Sequence, residues 1–373
     1  MNTSTSVIRR AIRAEWFLGV SLATTLVFLV AGQALFATLT HPISLTLVFL
    51  WLFGVVMGSA LAVVRHADRI AQALGEPYGT LVLTLSVMAI EVMSISAVML
   101  HGANNPTLVR DTLFAIVMII LGGMVGASLL IGGWRHREQH YNLQGANAYL
   151  SVIIPLAVLT LSLPNFTVTT SGPTLSTAQQ IFLVVMSVGL YAAFLAIQTG
   201  RHRGYFTEEE HEAHPPRLKG DRQAPLYRHA TMLILYMAPV AYLAEQLARP
   251  IDYFIETLRM PPALGGVVIA MLVATPEAIG AVRAALANRL QRSINIFLGS
   301  VLSTIGLTVP FMLAISYFTG HTVYLGLAPA DDLLLLLTLV VSVVTFASGR
   351  TNILQGAVHV MLFAAFLMLI FRA

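Results

Sequence analysis

Eleven apolar runs, separated by short polar connections, dominate this chain of 373 residues. A helix needs about 20 mostly apolar residues to cross the roughly 30 Å of hydrocarbon in a bilayer, and each run is close to that length. The predicted spans are residues 16–39, 43–64, 78–100, 112–133, 148–164, 179–198, 230–248, 262–286, 294–318, 331–348 and 352–371. The sequence therefore predicts an all-α polytopic membrane protein with eleven transmembrane helices.

Composition excludes several classes of protein. Only 10% of the residues are charged, whereas a soluble domain carries roughly 25%. The chain has no cysteine, which excludes a disulfide scaffold, a zinc–thiolate site and an iron–sulfur centre. Its single lysine, Lys219, does not follow a glycine, so the chain lacks a Walker-type phosphate loop. We expect no cofactor.

The basic residues predict the orientation of the spans. With the N-terminus inside, alternate connections carry 17 Lys and Arg residues on the inner side and 4 on the outer side. Cytoplasmic loops are enriched in basic residues, so this asymmetry predicts a cytoplasmic N-terminus and a periplasmic C-terminus in a bacterial inner membrane. Arginines that face the anionic cytoplasmic leaflet also explain the net charge of +4 without a nucleic-acid partner.

The long connection 199–229 divides the ten spans after the first into two sets of five. An odd number of crossings in each set reverses the direction of the second set, which is the arrangement of inverted-repeat transporters. We therefore predict four regions along the chain. They are an N-terminal segment with helix 1 (1–42), a first inverted repeat with helices 2–6 (43–198), a cytoplasmic loop (199–229) and a second inverted repeat with helices 7–11 (230–373).

Three glutamates lie inside the apolar runs. Glu91 and Glu277 each occupy the second span of their half, twelve residues from its inner end and fourteen from its outer end, respectively. Both therefore lie within a few ångströms of the bilayer midplane. A charge at that depth is costly and usually marks an ion or proton path; the alternative is a protonated glutamate that only bonds to a neighbouring helix. Glu245 lies near the outer end of its span, where its carboxylate reaches the interface.

Polar residues around the two midplane glutamates are compatible with a cation site. Pro276 removes one backbone donor and frees a carbonyl next to Glu277, and carboxylates with carbonyls are the ligands that hard cations prefer. The predicted supporting residues are Thr84, Ser94, Thr275, Pro276, Asn295, Gly299, Ser300 and Ser303. Hydroxyl and glycine enrichment also serves plain helix packing, so that alternative stays open.

Further motifs lie in residues 86–99, 110–115, 274–278, 291–302 and 349–366. With them the chain, from about residue 78 to the last helix, resembles the calcium:cation antiporter superfamily, and within it the bacterial calcium/proton antiporters of the ChaA type. The resemblance implies two inverted repeats after helix 1. It also implies that Glu91 and Glu277 bind metal cations and protons alternately, beside Gly299, Ser300 and Ser303.

The sequence departs from this superfamily in one respect. The Gly-Asn pairs that often precede each carboxylate are replaced here by Val87-Met88 and Val273-Ala274. With fewer fixed side-chain ligands, Na⁺ and K⁺ remain open as substrates beside Ca²⁺.

We predict a secondary cation/proton antiporter rather than an enzyme, with inorganic cations, protons and the lipid bilayer as its partners. One divalent cation neutralises two carboxylates, and so do two protons, so competition for one site couples their movements. Ca²⁺ export from the cytoplasm by alternating access is the first hypothesis, and Na⁺ or K⁺ exchange is the alternative. An intramembrane aspartyl hydrolase needs paired membrane aspartates, and no Asp lies in the interior of a predicted span. A passive channel would lack proton coupling.

Three other features of the sequence contain histidines. His136 and His140 are four residues apart, but the position after the first histidine is not Glu, so we predict a cytoplasmic connection and no zinc site. His359, deep in the last span, is either a proton partner or a packing residue. The long loop holds an acidic segment that is either solvated or a cytoplasmic cation or pH sensor: Glu208, Glu209, Glu210, His211, Glu212 and His214.

Overall fold

The computed structural model describes residues 15–75, 78–100, 105–170, 172–207 and 225–371. Nearly all of this described part is helical, as the apolar runs predict. The candidate sensor segment lies outside it, so the sensor stays a prediction for Glu208, Glu209, Glu210, His211, Glu212 and His214.

Within the described ranges, eleven long helices correspond one for one to the predicted spans. They are α1 (Trp16–Ala37), α2 (Pro42–Leu74), α3 (Tyr78–Met99), α4 (Leu108–His136), α5 (Leu143–Asn165), α6 (Thr177–Arg201), α7 (Leu226–Thr257), α8 (Ala263–Leu286), α9 (Leu290–Thr319), α10 (Pro329–Thr345) and α11 (Ile353–Ile370). All except the 17-residue α10 are at least 18 residues long and apolar enough to cross a membrane. The predicted all-α membrane fold with eleven helices is confirmed.

Two helices continue nine or ten residues beyond their predicted ends. α2 continues from residue 64 to Leu74, and α7 continues from residue 248 to Thr257. The 33 residues of α2 span about 50 Å at roughly 1.5 Å per residue, well beyond a hydrocarbon thickness of about 30 Å. The predicted span ended before Arg65 because charge marks the edge of an apolar run. Charged residues nevertheless continue a helix readily once it has left the apolar layer.

Side-chain caps fix the starts of three helices. Ser176 and Asn352 form capping boxes with Gln179 and Gln355 at the starts of α6 and α11. Asn142 caps α5 by accepting hydrogen bonds from two backbone N–H groups. These side chains satisfy N–H groups that have no partner within a helix, so the three helices begin at defined residues.

The chain forms two compact units. The first consists of residues 1–101 and 224–260 and contains α1, α2, α3 and α7. The second consists of residues 102–223 and 261–373 and contains α4–α6 and α8–α11. Each unit combines helices from both predicted repeats, so the repeat boundaries at 43–198 and 230–373 stay a prediction from sequence order.

In the first unit, α2 packs along α7, and both α1 and α3 contact this pair. Ser21 of α1 and Ser59 of α2 share a hydrogen bond of 2.7 Å between their hydroxyls. Trp51 Nε1 of α2 donates to Thr24 Oγ1 of α1 at 3.2 Å. Polar pairs of this kind hold transmembrane helices together where lipid offers no hydrogen-bonding partner.

In the second unit, the connections between helices contact one another. β1 (Gln139–His140), between α4 and α5, forms a two-stranded antiparallel sheet with β2 (Arg350–Thr351), between α10 and α11. The Gln139 side chain also donates from Nε2 to the carbonyl of Ala285 at 2.8 Å, near the end of α8. The α4–α5 connection therefore contacts both the α10–α11 connection and the end of α8.

A second group of connections between helices also makes mutual contacts in the second unit. In the α9–α10 connection, Tyr324 N donates to the carbonyl of Pro106, before α4, at 2.8 Å. Leu325 and Gly326 donate their N–H groups to the carbonyl of Pro173, between α5 and α6, at 3.2 and 3.3 Å. If α2–α6 correspond to α7–α11, the two groups of connections are counterparts. This correspondence supports the predicted inverted repeat.

Helices α4 and α9, which are counterparts in the predicted repeat, each contain a π-helical segment, as α5, α6 and α7 also do. α4 contains the π-helical segment Met118–Met124, and α9 contains the π-helical segment Thr304–Thr308. A π-helical turn leaves backbone carbonyls without their usual α-helical partner. In a bilayer such carbonyls must find another donor, so these turns are places where side chains and ligands can bind the backbone.

Glycines let α4 and α11 approach closely. A Cβ atom at Gly126 of α4 would lie 2.7 Å from the backbone nitrogen of Val360, and a Cβ atom at Gly356 of α11 would lie 2.5 Å from the backbone nitrogen of Leu130. Both distances are shorter than non-bonded contact. The two helices therefore pack backbone against backbone, as small residues allow in membranes.

We predict that Gly356→Ala destabilises the protein by about 1–3 kcal/mol, because the added methyl group overpacks this contact. The measurement is thermal unfolding in detergent, where the midpoint of the variant should fall. Gly189→Ala in α6 is the matched control, since nothing lies within 4 Å of a Cβ atom at that position. A G356A midpoint equal to that of G189A would contradict the close packing.

Candidate functional site

Glu91 lies on α3 in the first unit, with 2% of its surface exposed. Thirteen residues separate it from Tyr78 at the start of α3, about 20 Å along the axis, which places it near the middle of a bilayer. Ser94, one turn further, is buried, and its hydroxyl has no hydrogen-bond partner among the described residues. Thr84, two turns before Glu91, is half-buried. The predicted site residues of the first half therefore share one face of α3.

Glu277 lies on α8 in the second unit, fourteen residues from the start of the helix at Ala263. The hydroxyl of Ser300, a buried residue of α9, lies within hydrogen-bonding reach of its carboxylate. The Oε2 atom of Glu277 is closed to solvent and has no hydrogen-bond partner in the part of the chain that the structure describes. Pro276 lies inside the helix and lacks the N–H that would bond to the Leu272 carbonyl. Oxygen atoms of these kinds suit a hard cation.

The other hydroxyls predicted around Glu277 form hydrogen bonds within their helices. Thr275 Oγ1 donates to the carbonyl one turn back at 2.6 Å, and Ser303 Oγ donates to the carbonyl of Ser300 at 2.9 Å. A Cβ atom at Gly299 would lie 3.6 Å from the Tyr149 hydroxyl oxygen. A hydroxyl that donates its hydrogen still has oxygen lone pairs to offer to an ion. The assignment of these residues to the site stays a prediction.

Asn295 forms hydrogen bonds that the sequence did not predict. Its Nδ2 donates to the carbonyl of Phe206 at 2.6 Å, and its Oδ1 accepts from Gln291 Nε2 at 2.9 Å. Phe206 is buried, and its ring packs against Tyr149 and Phe194. Both polar atoms of Asn295 therefore hold the connection after α6 against α9, and its assignment to the cation site stays a prediction.

Glu91 and Glu277 belong to different compact units. Their joint use as one site therefore stays a prediction from the sequence. Among the described residues, no three His, Asp or Glu side chains are grouped as a bound metal ion requires.

The sequence also singled out Glu245, His136 and His140. These residues have different surroundings in the structure. Glu245 on α7 is exposed, as expected for a carboxylate that reaches the interface. His136 Nε2 donates to the carbonyl of Leu286 at 3.0 Å, whereas His140 is exposed in β1. The two imidazoles thus have different environments, which favours the interpretation as a connection between helices over a zinc site.

His359 on α11 is fully buried and joins three helices. Its Nδ1 lies 2.6 Å from the carbonyl oxygen of Leu121 in the π-helical segment of α4, and because a carbonyl only accepts, Nδ1 carries the hydrogen. Its Nε2 lies 2.9 Å from Thr345 Oγ1 of α10. The imidazole therefore satisfies a carbonyl that the π-helical turn leaves available, which supports the packing role. Sequence reasoning missed Leu121 because 238 positions separate it from His359.

The family described as Sodium/calcium exchanger protein matches residues 44–200 and 228–372. The Sodium-potassium/proton antiporter ChaA of Escherichia coli (strain K12) is 40% identical over 336 residues, which are 89% of this chain and 90% of that protein. The matched region therefore includes α2–α11 almost completely.

Two solved structures share the fold. The structure of native YfkE matches with a TM-score of 0.74 at 17% identity, over 96% of this chain and 100% of that chain. The crystal structure of the H⁺/Ca²⁺ exchanger CAX matches with a TM-score of 0.60 at 16% identity, over 95% of this chain and 88% of that chain. At these identities the likeness concerns the fold alone.

We predict that His359→Leu destabilises the protein by about 1–3 kcal/mol, because the Leu121 carbonyl and the Thr345 hydroxyl lose their partner in an apolar interior. His359→Gln should recover part of the loss through its amide. Thermal unfolding in detergent measures both, with His140→Leu as the exposed control, which should change stability by no more than about 0.5 kcal/mol. If H359L unfolds at the wild-type temperature, the hydrogen bonds of His359 do not stabilise the fold.

Proposed function

The chain belongs to the Sodium/calcium exchanger protein family, and from this premise we propose that it is a secondary cation/proton antiporter. The observation that carries the proposal is the carboxylate of Glu277, halfway along a membrane-spanning helix, whose Oε2 atom is closed to solvent and has no hydrogen-bond partner among the described residues. Glu91, equally deep in α3, is the second carboxylate. Both residues exchange a bound cation for protons in turn.

The coupling follows from electrostatics. A charged carboxylate is unfavourable in an apolar interior, and two carboxylates that share a cavity raise each other's affinity for protons. A site loaded with either cation or protons carries little net charge, whereas the empty site is doubly negative. Only the loaded forms are therefore suited to change between inward-facing and outward-facing states. Cation and protons consequently cross in opposite directions.

Ca²⁺ is the first candidate cation, because a single divalent ion neutralises both glutamates and oxygen ligands suit it. Na⁺ or K⁺ is the second candidate. It is favoured by the name of the relative from Escherichia coli, a sodium-potassium/proton antiporter at 40% identity. In either case an inward proton gradient drives export of the cation from the cytoplasm.

The orientation of the helices is part of the same proposal. The distribution of 17 and 4 basic residues supports a cytoplasmic N-terminus and a periplasmic C-terminus in a bacterial inner membrane. With this orientation the connections that contain β1 and β2 face the cytoplasm, and the α5–α6 and α9–α10 connections face the periplasm. Cations then enter the exchange cycle from the side that carries the arginines.

We predict that Glu91→Gln or Glu277→Gln reduces proton exchange to the level of empty vesicles, because glutamine neither binds a proton nor neutralises a cation. A pH-sensitive dye in inside-out vesicles measures the exchange, with Ca²⁺, Na⁺ and K⁺ added separately. Glu245→Gln is the matched control, since Glu245 is exposed. Its rate should stay within about twofold of wild type, because surface substitutions change free energies by only about 0.5 kcal/mol.

Each outcome of this experiment is informative. A response to micromolar Ca²⁺ that is lost in both glutamine variants supports Ca²⁺/H⁺ exchange. A response only to Na⁺ or K⁺ supports the second candidate and the same mechanism. Wild-type rates in E91Q or E277Q, or no response to any of the three cations from folded wild-type protein, would contradict the proposal.

The orientation has its own test, because the chain has no natural cysteine. Val168, 96% exposed in the α5–α6 connection, and His140, exposed in the α4–α5 connection, are replaced singly by cysteine. We predict that a membrane-impermeant maleimide labels V168C from the periplasm and H140C only in inside-out vesicles. The reverse pattern would invert the proposed topology.

A further inference from the structure

Five polar side chains form a cluster at one end of the first unit. Glu15 lies just before α1, Arg65 and His66 lie on α2, and His229 and Tyr236 lie on α7. His66 is buried with 3% of its surface exposed, whereas His229 is half-buried and accessible to water. None of these residues takes part in the proposed exchange site. Two imidazoles and a carboxylate in contact nevertheless make a group that titrates.

The contacts of Glu15 show which ring nitrogen of His66 carries a hydrogen. Glu15 Oε2 lies 2.7 Å from Arg65 Nη2, 3.3 Å from His66 Nε2 and 3.2 Å from the Tyr236 hydroxyl. A carboxylate only accepts hydrogen bonds. The Nε2 atom of His66 therefore carries a hydrogen, and in a neutral ring its Nδ1 is left as an acceptor.

The second nitrogen of His66 faces another histidine. His66 Nδ1 and His229 Nδ1 are 3.0 Å apart, so one hydrogen lies between them. When both rings are neutral, His229 donates it and His66 accepts it. A first added proton preserves the contact, because one of the two facing nitrogens can remain an acceptor. A second added proton places a hydrogen on each of them, and the contact is lost.

The positive charges around the pair disfavour the second proton and destabilise the contact between two protonated rings. Arg65 and Arg69 of α2 and Arg228 of α7 lie close enough to interact with the imidazoles, and Glu15 is the acidic group among them. Tyr236 of α7 stacks on the His66 ring, with centroids 5.9 Å apart. In the described residues, α3 adds no charged group to either ring. Two histidinium ions in this arginine-rich setting therefore move apart.

The location of the pair suits it to sense the cytoplasm. His66 is 24 residues from the start of α2 at Pro42, about 36 Å along the helix, which exceeds the hydrocarbon thickness of about 30 Å. The basic residues predict that this end of α2 faces the cytoplasm. His229 lies in the first turn of α7, so protons reach the pair from the cytoplasmic solvent.

The His66–His229 pair also connects two neighbouring helices. Among the described residues, His66–His229 is the direct side-chain hydrogen bond between α2 and α7, the two helices that pack along each other in the first unit. At the opposite end of the same helices, the rings of Phe49 and Phe254 meet edge to face with centroids 5.5 Å apart. Loss of the histidine contact therefore removes the direct hydrogen bond at this end of the helix pair, where Glu15 is the remaining polar bridge between Arg65 and Tyr236, while the other end stays packed.

We propose that His66 and His229 form a proton-binding site that joins the cytoplasmic ends of α2 and α7 while one hydrogen is shared, and that separates these ends when both rings are protonated. The site is distinct from the glutamates of the exchange path. Its ligand is the cytoplasmic proton, and its effect is a change in the spacing of two helices.

Spin labels test the proposal directly, because the chain has no natural cysteine. Gln72→Cys and Leu226→Cys place labels at exposed positions near the cytoplasmic ends of α2 and α7. Distances are measured in nanodiscs at about pH 8 and about pH 4, because the ordinary histidine pKa is about 6.5 and the neighbouring arginines oppose the second proton. We expect the distance distribution to shift to longer values at the acidic pH.

Two variants give opposite expectations. His229→Asn keeps an amide that can donate to His66 or accept from it but does not titrate, so the short distance should persist at both pH values. His229→Arg carries a fixed positive charge, so the long distance should be present already at about pH 8. A reference pair, Ile43→Cys with Leu258→Cys, reports the opposite ends of the same helices and should not change with pH if the fold is intact.

The distance measurement involves no transport, so its result is separate from the test of antiport. An unchanged distance in wild type, or an equal shift in H229N, would overturn the proposal. A further expectation rests on the proposed antiport: acidification of the cytoplasmic side slows exchange in wild type more than in H229N. If wild type and H229N are active exchangers with identical pH profiles, the histidine pair does not regulate transport. The distance measurement alone then decides whether the pair changes the spacing of α2 and α7.

Discussion

The bilayer interior offers no water to a polar group, and this constraint organises the whole protein. Most backbone groups are satisfied within the helices, and many hydroxyls return their hydrogen to the helix, as Thr275 does, or pair across helices, as Ser21 and Ser59 do. A carboxylate at the depth of the bilayer centre carries a negative charge that a hydrogen bond alone does not neutralise. It requires a proton or a cation, and this requirement is the physical basis of the exchange that we propose for Glu91 and Glu277.

The two predicted repeats have similar backbone features but different side-chain contacts. Counterpart connections contact one another in the second unit, and the counterpart helices α4 and α9 both contain a π-helical turn. In α4 the turn is bound by His359 through the carbonyl of Leu121. In α9, Thr308 at the end of the turn keeps a buried hydroxyl without a hydrogen-bond partner among the described residues. The α4 turn is therefore fastened to α11, whereas the α9 turn lies just beyond Ser300, the neighbour of Glu277.

Hydropathy alone predicted all eleven helices, because twenty apolar residues in a row have few stable alternatives to crossing a bilayer. It underestimated α2 and α7, since a polar helical extension differs little in composition from a loop. The depth of Glu91 and Glu277 also follows from counting residues. The roles of Asn295, His359 and His66 do not, because their partners Phe206, Leu121 and His229 are between 89 and 238 positions away. Such pairings depend on tertiary structure that no local pattern encodes.

The composition of the first unit has a consequence for biosynthesis. The ribosome completes α2 at residue 74 and α3 at residue 99, but α7, the helix that α2 packs along, ends only at residue 257. Three further helices, α4–α6, are made in between. Contacts between such distant segments form late, so during synthesis the α7-binding surface of α2 faces lipid or the insertion machinery. The N-terminal unit of this chain is therefore begun first but reaches its final packing only after about two-thirds of the protein has been made.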